Sequence, residues 1–321
     1  MAKENIGDIR HFTDGCFDLT HFGHTNFFRQ AKGLGGRLIV GLHSNEEIEI
    51  HKKRKPIYTM EERAKMVRAI KWVDEVVEGV PYDTTLEVLK KYNCFFCIHA
   101  DDITVTADGR DTYQEVKDAN RFKTVPRTPG VSTTKLIRKI REVSGNHKQD
   151  NRETPLTDSH EFITDVLTLK QFLEGIIPAE NKDKIIYVDG SFDLFHGGHV
   201  DFLEKALQQG TYLIVGLHSD EEVRRRKGPQ YPLINLLQRA MNVLSYRYVS
   251  NVILDAPYQI TEQLMEEYKI DLVIHGQAPI LENEEEMDRY KVPIAQNKFR
   301  IIDSGNDMTT EDLINRIVNI P

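Results

Sequence analysis

The stretch Asp14-Gly-Cys-Phe-Asp-Leu-Thr-His-Phe-Gly-His24 occurs a second time as Asp189-Gly-Ser-Phe-Asp-Leu-Phe-His-Gly-Gly-His199, 175 residues further on. Its surroundings repeat with it. Leu38-Ile-Val-Gly-Leu-His-Ser-Asn-Glu-Glu47 returns as Leu213-Ile-Val-Gly-Leu-His-Ser-Asp-Glu-Glu222 at the same spacing. After one inserted residue the spacing is 176: Trp72-Val-Asp-Glu-Val76 matches Tyr248-Val-Ser-Asn-Val252, and Pro81-Tyr82 matches Pro257-Tyr258. A repeat of this length means two copies of one domain.

Each copy alternates strand and helix patterns. In the second, Ile185-Ile-Tyr-Val188 reads as a strand. His199 to Gln209 reads as a helix with Val200, Leu203, Ala206 and Leu207 on one face and Gly210 as its stop, and Leu213–Leu217 as the next strand. This predicts an α/β class: two tandem Rossmann-like domains, each a mainly parallel sheet with helices on both faces. The domains are expected at 1–143 and 184–321, joined by a linker over 144–183. Ser144–Ser159 is polar, and Glu161–Ile177 is apolar enough for a short helix packed between the domains. Ligands of such sheets lie outside the carboxyl ends of the strands, where the repeated motif begins.

Composition narrows the function. The chain has 321 residues, 40% hydrophobic and 29% charged, with a formal charge of −8. That is globular composition, and an acidic chain is a poor partner for a phosphate backbone, so no nucleic-acid partner is expected. No apolar run reaches the roughly 18 residues of a membrane span, and the first residues carry no signal-peptide core, so a cytoplasmic protein is expected. Three cysteines, Cys16, Cys94 and Cys97, do not make a disulfide scaffold. Cys94-Phe-Phe-Cys97 is a CxxC in an apolar run and reads as buried strand rather than a redox or zinc site. Gly33, Gly35 and Gly36 follow a helix and precede a strand, the wrong order for a dinucleotide fingerprint.

Several segments read as anion sites. His21-Phe-Gly-His24 opens a helix, placing two imidazoles beside backbone N–H groups, with Gly23 leaving room for a phosphate. The basic run His51–Lys55 has a counterpart in Arg224–Lys227, and Lys52 aligns with Lys227. A mobile lysine loop there would neutralise charge developing in phosphoryl transfer. Arg127-Thr-Pro-Gly-Val-Ser-Thr-Thr134 precedes a helical pattern. Its Ser132, Thr133 and Thr134 are natural helix caps, and Arg127 offers a fork for phosphate.

These motifs, with Trp72-Val-Asp-Glu-Val-Val77, Asn93-Cys94 and Gly109-Arg-Asp-Thr-Tyr113, resemble the HxGH cytidylyltransferases of the tandem two-domain type. The resemblance implies transfer of CMP from CTP, with Mg2+ carried by the nucleotide, to a phosphorylated amino alcohol. Phosphoethanolamine is the expected acceptor, with phosphocholine and glycerol 3-phosphate as rivals. It implies His21, His24, Lys52 and Arg127 as catalytic residues. Gly15, Cys16, Phe17, Gly23, Asp102, Thr128, Ser132, Thr133 and Thr134 would hold CTP, and Asp14 with Tyr82 the ammonium. Asp18 is assigned a structural role. Family members are often dimeric, so a homodimer is carried as an expectation, as is peripheral association with the endoplasmic reticulum. Adenylyl transfer and a non-catalytic nucleotide-binding regulator are the other readings.

The second copy keeps Asp189, His196, His199, Lys227 and Tyr258. At a spacing of 176, Arg127 falls on Asp303, Gly130 on Asn306, Ser132 on Met308, and Asp101 and Asp102 on Gln277 and Ala278. A carboxylate in place of the arginine predicts a second site that does not turn over CTP.

Overall fold

A computed structural model describes residues 9–102, 109–145, 159–277 and 287–320. The polar stretch 146–158 and Ala278 lie outside the described residues. The chain divides into two compact units, Met1–Arg141 with Asn315–Pro321, and Glu142–Ile314.

The first unit runs β1 (Arg10–Gly15), α1 (Phe22–Gly33), β2 (Arg37–His43), α2 (Asn45–Lys52), α3 (Met60–Arg68) and β3 (Glu75–Val80). It continues with α4 (Leu86–Lys91), β4 (Phe96–Ala100), α5 (Gln114–Asp118), β5 (Phe122–Val125) and α6 (Thr133–Gly145). The sheet order is β3-β2-β1-β4-β5, with every pair parallel. The near-continuous apolar run of β2 is what a strand covered on both faces requires. Phe12 and Ile39 are fully buried in a core that also takes in Cys97 and Val116. Truncating Phe12 to alanine would cost about 3–5 kcal/mol. The chain leaves β1 toward β2 and returns on the other side as β4, so the switch point lies between β1 and β4.

The second unit repeats this plan. It comprises α7 (Ser159–Leu173), β6 (Ile185–Gly190), α8 (Gly197–Leu207), β7 (Tyr212–Leu217), α9 (Asp220–Lys227), α10 (Leu236–Leu244) and β8 (Asn251–Leu254). Then follow α11 (Glu262–Glu267), β9 (Leu272–Gly276), α12 (Lys291–Ala295), β10 (Phe299–Ile302) and α13 (Thr310–Asn319). Its sheet, β10-β9-β6-β7-β8, is also parallel throughout and has β6 at its centre.

Three expectations shift. Helix α8 starts two residues early because His196, not a later residue, caps it. The apolar linker segment is a full 15-residue helix, α7, packed against α10; its Asp165 accepts from the side chains of Asn235 and Gln238, and Phe172 is fully buried. Cys94 precedes β4 rather than lying in it. Burial pushes its thiol up to about 11 and raises that of Cys97 well above its usual value, so both are core cysteines. No helix among the described residues is long and apolar enough to cross a membrane.

Candidate active site

The loop Cys16–Thr20 leaves β1 at the switch point. Phe17 and Leu19 have φ of 45° and 46°, a left-handed conformation that strains non-glycine residues by roughly 1–3 kcal/mol each. Surrounding bonds hold it. The Asp18 carboxylate accepts from the backbone N–H groups of Ile57 and Tyr58 at 2.9 and 3.0 Å, the structural role expected of it. Fully buried Arg63 donates to the carbonyls of Cys16 and His43, both at 2.9 Å. Sequence reasoning missed Arg63. Its signal is the repeated Arg-Ala pair at 63–64 and 239–240, and Arg239 makes the same bond to His218 at 2.8 Å.

The HxGH segment then opens α1 as a capping box built from imidazoles. Gly23 N–H donates to His21 Nδ1 at 3.1 Å, and His21 N–H donates to His24 Nδ1 at 3.3 Å. The expected free row of N–H groups is therefore not there: the histidines consume part of it. Burial, with Arg127 nearby, lowers His21 to about 3, and burial with His21, Lys52 and Arg127 holds His24 well below its usual value. Both rings are neutral. A neutral imidazole whose Nδ1 accepts must carry its proton on Nε2, so each ring keeps one Nε2–H donor. The rings stack with centroids 3.9 Å apart. Gly23 lines the cleft and also has a packing role. A Cβ there would lie 2.6 Å from Val131 Cγ1, so the glycine admits the loop before α6.

These parts wall a cleft of about 280 Å3. Asp14, Gly15, Cys16 and Phe17 form its floor at the end of β1, with His21, Gly23 and His24 beside them. Lys52 lines it too, but not from a loop: it ends α2, whose chain reverses at left-handed Lys53. Arg54, from the same basic run, lines it as well, as does His99, which sequence reasoning missed. Opposite lie Asp102, Arg127, Thr128, Ser132, Thr133 and Thr134. Arg127 Nη1 donates to Asp102 Oδ2 at 2.8 Å, and its backbone N–H donates to Asp101 at 2.9 Å. Asn26 Nδ2 donates to Thr128 Oγ1 at 2.9 Å, leaving the threonine O–H available as a donor. Ser132 Oγ caps α6 by accepting from Lys135 N–H at 3.2 Å, while Thr133 Oγ1 donates to the Asp18 carbonyl at 3.2 Å. The cleft thus gathers hydrogen-bond donors and three cationic side chains.

Three carboxylates also line the cleft: Asp102 is paired with Arg127, Asp18 is held by backbone N–H groups, and Asp14 stands apart from both. Asp14 is 2% exposed; Thr84 Oγ1 donates to its Oδ2, and the Tyr113 hydroxyl donates to its Oδ1 at 2.7 Å. Among the described residues no Lys or Arg pairs with it. Tyr82 does not join the cleft wall as expected. One face of its ring stacks on His51, centroids 3.8 Å apart at 6°.

The second unit shows that the expected spacing of 176 fails near its end. Thr133 donates to the Asp18 carbonyl, and Thr310 donates to the Asp193 carbonyl at 3.3 Å. Likewise β5 begins at Phe122 and β10 at Phe299. The spacing there is 177, so Arg127 corresponds to Ser304, not Asp303. The arginine is still lost, but by neutral replacement. Asp307 and Glu311 now stand where Gly130 and Thr134 do.

A Rossmann-like sheet with a donor-lined anion cleft at its switch point is the arrangement of an α/β protein that binds a phosphorylated ligand. The cytidylyltransferase-like family matches residues 12–139 and 187–316. The chain is 43% identical over 97% of its length to the ethanolamine-phosphate cytidylyltransferase of Mus musculus, covering 86% of that protein. It is 40% identical over 98% of its length to that of Dictyostelium discoideum, covering 92%. Similarity to choline-phosphate cytidylyltransferase 2 of Arabidopsis thaliana, at 39% identity, covers 41% of the chain and 44% of that protein. The chain belongs to the cytidylyltransferase-like family, in its ethanolamine-phosphate branch.

Proposed function

We infer that the chain is an enzyme that transfers CMP from CTP to phosphoethanolamine, giving CDP-ethanolamine and pyrophosphate, and that the first unit carries the site. The acceptor phosphate oxygen attacks the α-phosphorus of CTP in line, the bond to the bridging oxygen breaks, and pyrophosphate leaves with the electron pair. No protein nucleophile is needed; positioning and charge stabilisation suffice. The Nε2–H groups of His21 and His24 donate to phosphate oxygens without first losing or gaining a proton. Lys52 and Arg127 supply positive charge, with Asp102 aiming Arg127, and Thr128 and Thr134 adding donors, while Thr133 ties the start of α6 to the Asp18 carbonyl. Magnesium brought by CTP would add positive charge at the triphosphate; among the described residues no cluster of carboxylates, histidines or cysteines would hold it independently.

One observation carries the acceptor reading: the cleft joins a cation-rich wall to the buried Asp14 carboxylate, which suits a phosphate with an ammonium at its far end. The hydroxyls of Thr84 and Tyr113 beside Asp14 make that end polar. A primary ammonium donates hydrogen bonds to such a place, whereas a trimethylammonium is better held by ring faces, and Tyr82 does not line the cleft. Glycerol 3-phosphate brings no cation at all. Activity in the cytoplasm, with peripheral contact at the endoplasmic reticulum and a homodimeric state, completes the proposal; sedimentation tests the last.

The deciding assay is pyrophosphate release with CTP and magnesium, offering phosphoethanolamine, phosphocholine and glycerol 3-phosphate in parallel. Turnover confined to phosphoethanolamine is expected. Turnover with ATP in place of CTP, or equal use of the three acceptors, would sink this reading, and nucleotide binding without pyrophosphate release would favour the regulator.

A further inference from the structure

The carboxylate at the end of the central strand is satisfied differently in the two units. Backbone bonds fix the correspondence: Thr84 N–H donates to the Thr112 carbonyl at 3.1 Å, and Ile260 N–H donates to the Arg289 carbonyl at 3.0 Å. Ile260 therefore stands for Thr84 and brings no hydroxyl. Arg289 stands for Thr112 and brings a guanidinium. Its Nη2 donates to Asp189 Oδ2, the carboxylate oxygen that in the first unit takes the Thr84 hydroxyl. The Tyr290 hydroxyl donates to Asp189 Oδ1 at 3.0 Å, as Tyr113 does to Asp14.

The rest of the guanidinium's surroundings suits a cation. Nη2 lies 3.3 Å from His218 Nε2. The guanidinium carbon is 4.1 Å from the Tyr258 ring centroid and 4.8 Å from that of Tyr290. Arg226, held by Glu222 at 2.6 Å, also covers the Tyr258 ring. Arg289 and Asp189 are each 7% exposed. A carboxylate, an imidazole nitrogen and two ring faces around one buried cation form a recognition cage.

We propose that the second unit keeps a cage for a small organic cation and that its own Arg289 is the resident ligand. The cage is closed to an amino substrate in the intact chain and opens to a small guanidinium or primary ammonium ion when the side chain at 289 is cut back. Position 289 rather than the HxGH motif thus decides whether this unit can hold an amino compound. The proposal does not depend on the chemistry of the first unit, and its test does not use turnover.

The test is chemical rescue of the full chain, read by thermal unfolding and by calorimetric titration. Arg289→Ala and Arg289→Thr, the latter carrying the first unit's residue, leave Asp189 buried without its cation and are expected to melt several degrees below the parent. Methylguanidinium, and separately ethylammonium, are then added against matched sodium chloride. A saturable rise recovering at least half of the loss is expected in both variants, together with a cation-binding isotherm that the parent lacks. The same rise should vanish when Asp189→Asn is combined with Arg289→Ala. An ordinary structural ion pair predicts destabilisation with no saturable rescue, and that result overturns the proposal. So does an equal rise in the parent or the double variant, or failure of both single variants to fold with and without the cation.

Discussion

The helix starts of the two units are built alike. His196 accepts from Gly198 N–H at 3.2 Å and His199 from His196 N–H at 3.3 Å, matching His21 and His24 to within 0.1 Å. The strained pair recurs as Phe192 and Leu194, with φ of 47° and 44°. Lys227 Nζ even reaches Ser191 Oγ at 3.0 Å, as Lys52 lies beside Cys16. What differs is the ground around this frame. One unit has Arg127 on its cleft wall and an Asp14 carboxylate bonded by two neutral hydroxyls; the other has Ser304 there and an Asp189 paired with the guanidinium of Arg289. A shared frame therefore does not imply shared chemistry, which resides in a few charges at its rim.

The sharpest way to break this comparison is to replace the histidines while keeping their structural bond. Asparagine caps helices well but lacks the second donor on the far side. His21→Asn is expected to lose about 10³-fold in kcat/KM, the scale of a lost transition-state donor, while its melting temperature stays near that of the parent. His196→Asn should stay within about twofold in pyrophosphate release, since its loss touches only a cap. A comparable loss in His196→Asn would mean that the second unit takes part in turnover.

Next in size is Arg127→Ser, which gives the first unit the second unit's residue. Loss of a charged hydrogen-bonding group of about 1.5–3 kcal/mol predicts roughly 10- to 150-fold lower kcat/KM, chiefly through CTP. Initial rates across CTP concentration check it. Asp14→Asn should raise KM for phosphoethanolamine by roughly 10-fold or more and leave that for CTP nearly unchanged. Equal effects on both substrates would remove Asp14 from the acceptor end.

The smallest expected contrast is in pH, where the units should behave alike. Burial lowers His21 to about 3 and His196 to about 4, both below the unfolded value near 6.5. The unfolded chain therefore binds more protons below that value. Stability is fully present above about pH 6.5 and falls as the pH drops toward 4, by about 2 kcal/mol for each such histidine at pH 5. Melting curves across that range test the fall. Imidazole 15N shifts should report neutral Nε2–H tautomers that do not titrate between pH 8 and 5; a midpoint near 6.5 for His21 would refute the capping-box account of its charge.

Much of this was legible in the chain. The motif, its repetition and the apolar runs of β2 and β7 gave the sheet, because parallel strands need continuous apolar residues and helices need caps. The cleft residues from Asp14 to Thr134 came together, except Tyr82, which stacks on His51 beside the cleft, a neighbour that no spacing rule names. Other features were hidden for physical reasons. Arg63 acts through backbone carbonyls, which leave no mark in sequence beyond its own repetition. Thr84, Tyr113 and Arg289 reach their carboxylates across 70 to 100 residues, by contacts that only the folded sheet creates. The second inserted residue went unseen because little resemblance between the copies survives near it, which turned a neutral replacement at Ser304 into an apparent charge reversal.

A histidine pair that ties down the start of a helix is needed by the folded chain whether or not the neighbouring cleft ever sees a nucleotide. Drift that silences such a cleft can erase its rim and leave the pair standing. An inventory of HxGH motifs therefore counts anchored helices. A count of working sites has to look instead for the arginine on the far wall and for a strand-end carboxylate that the chain has not already neutralised.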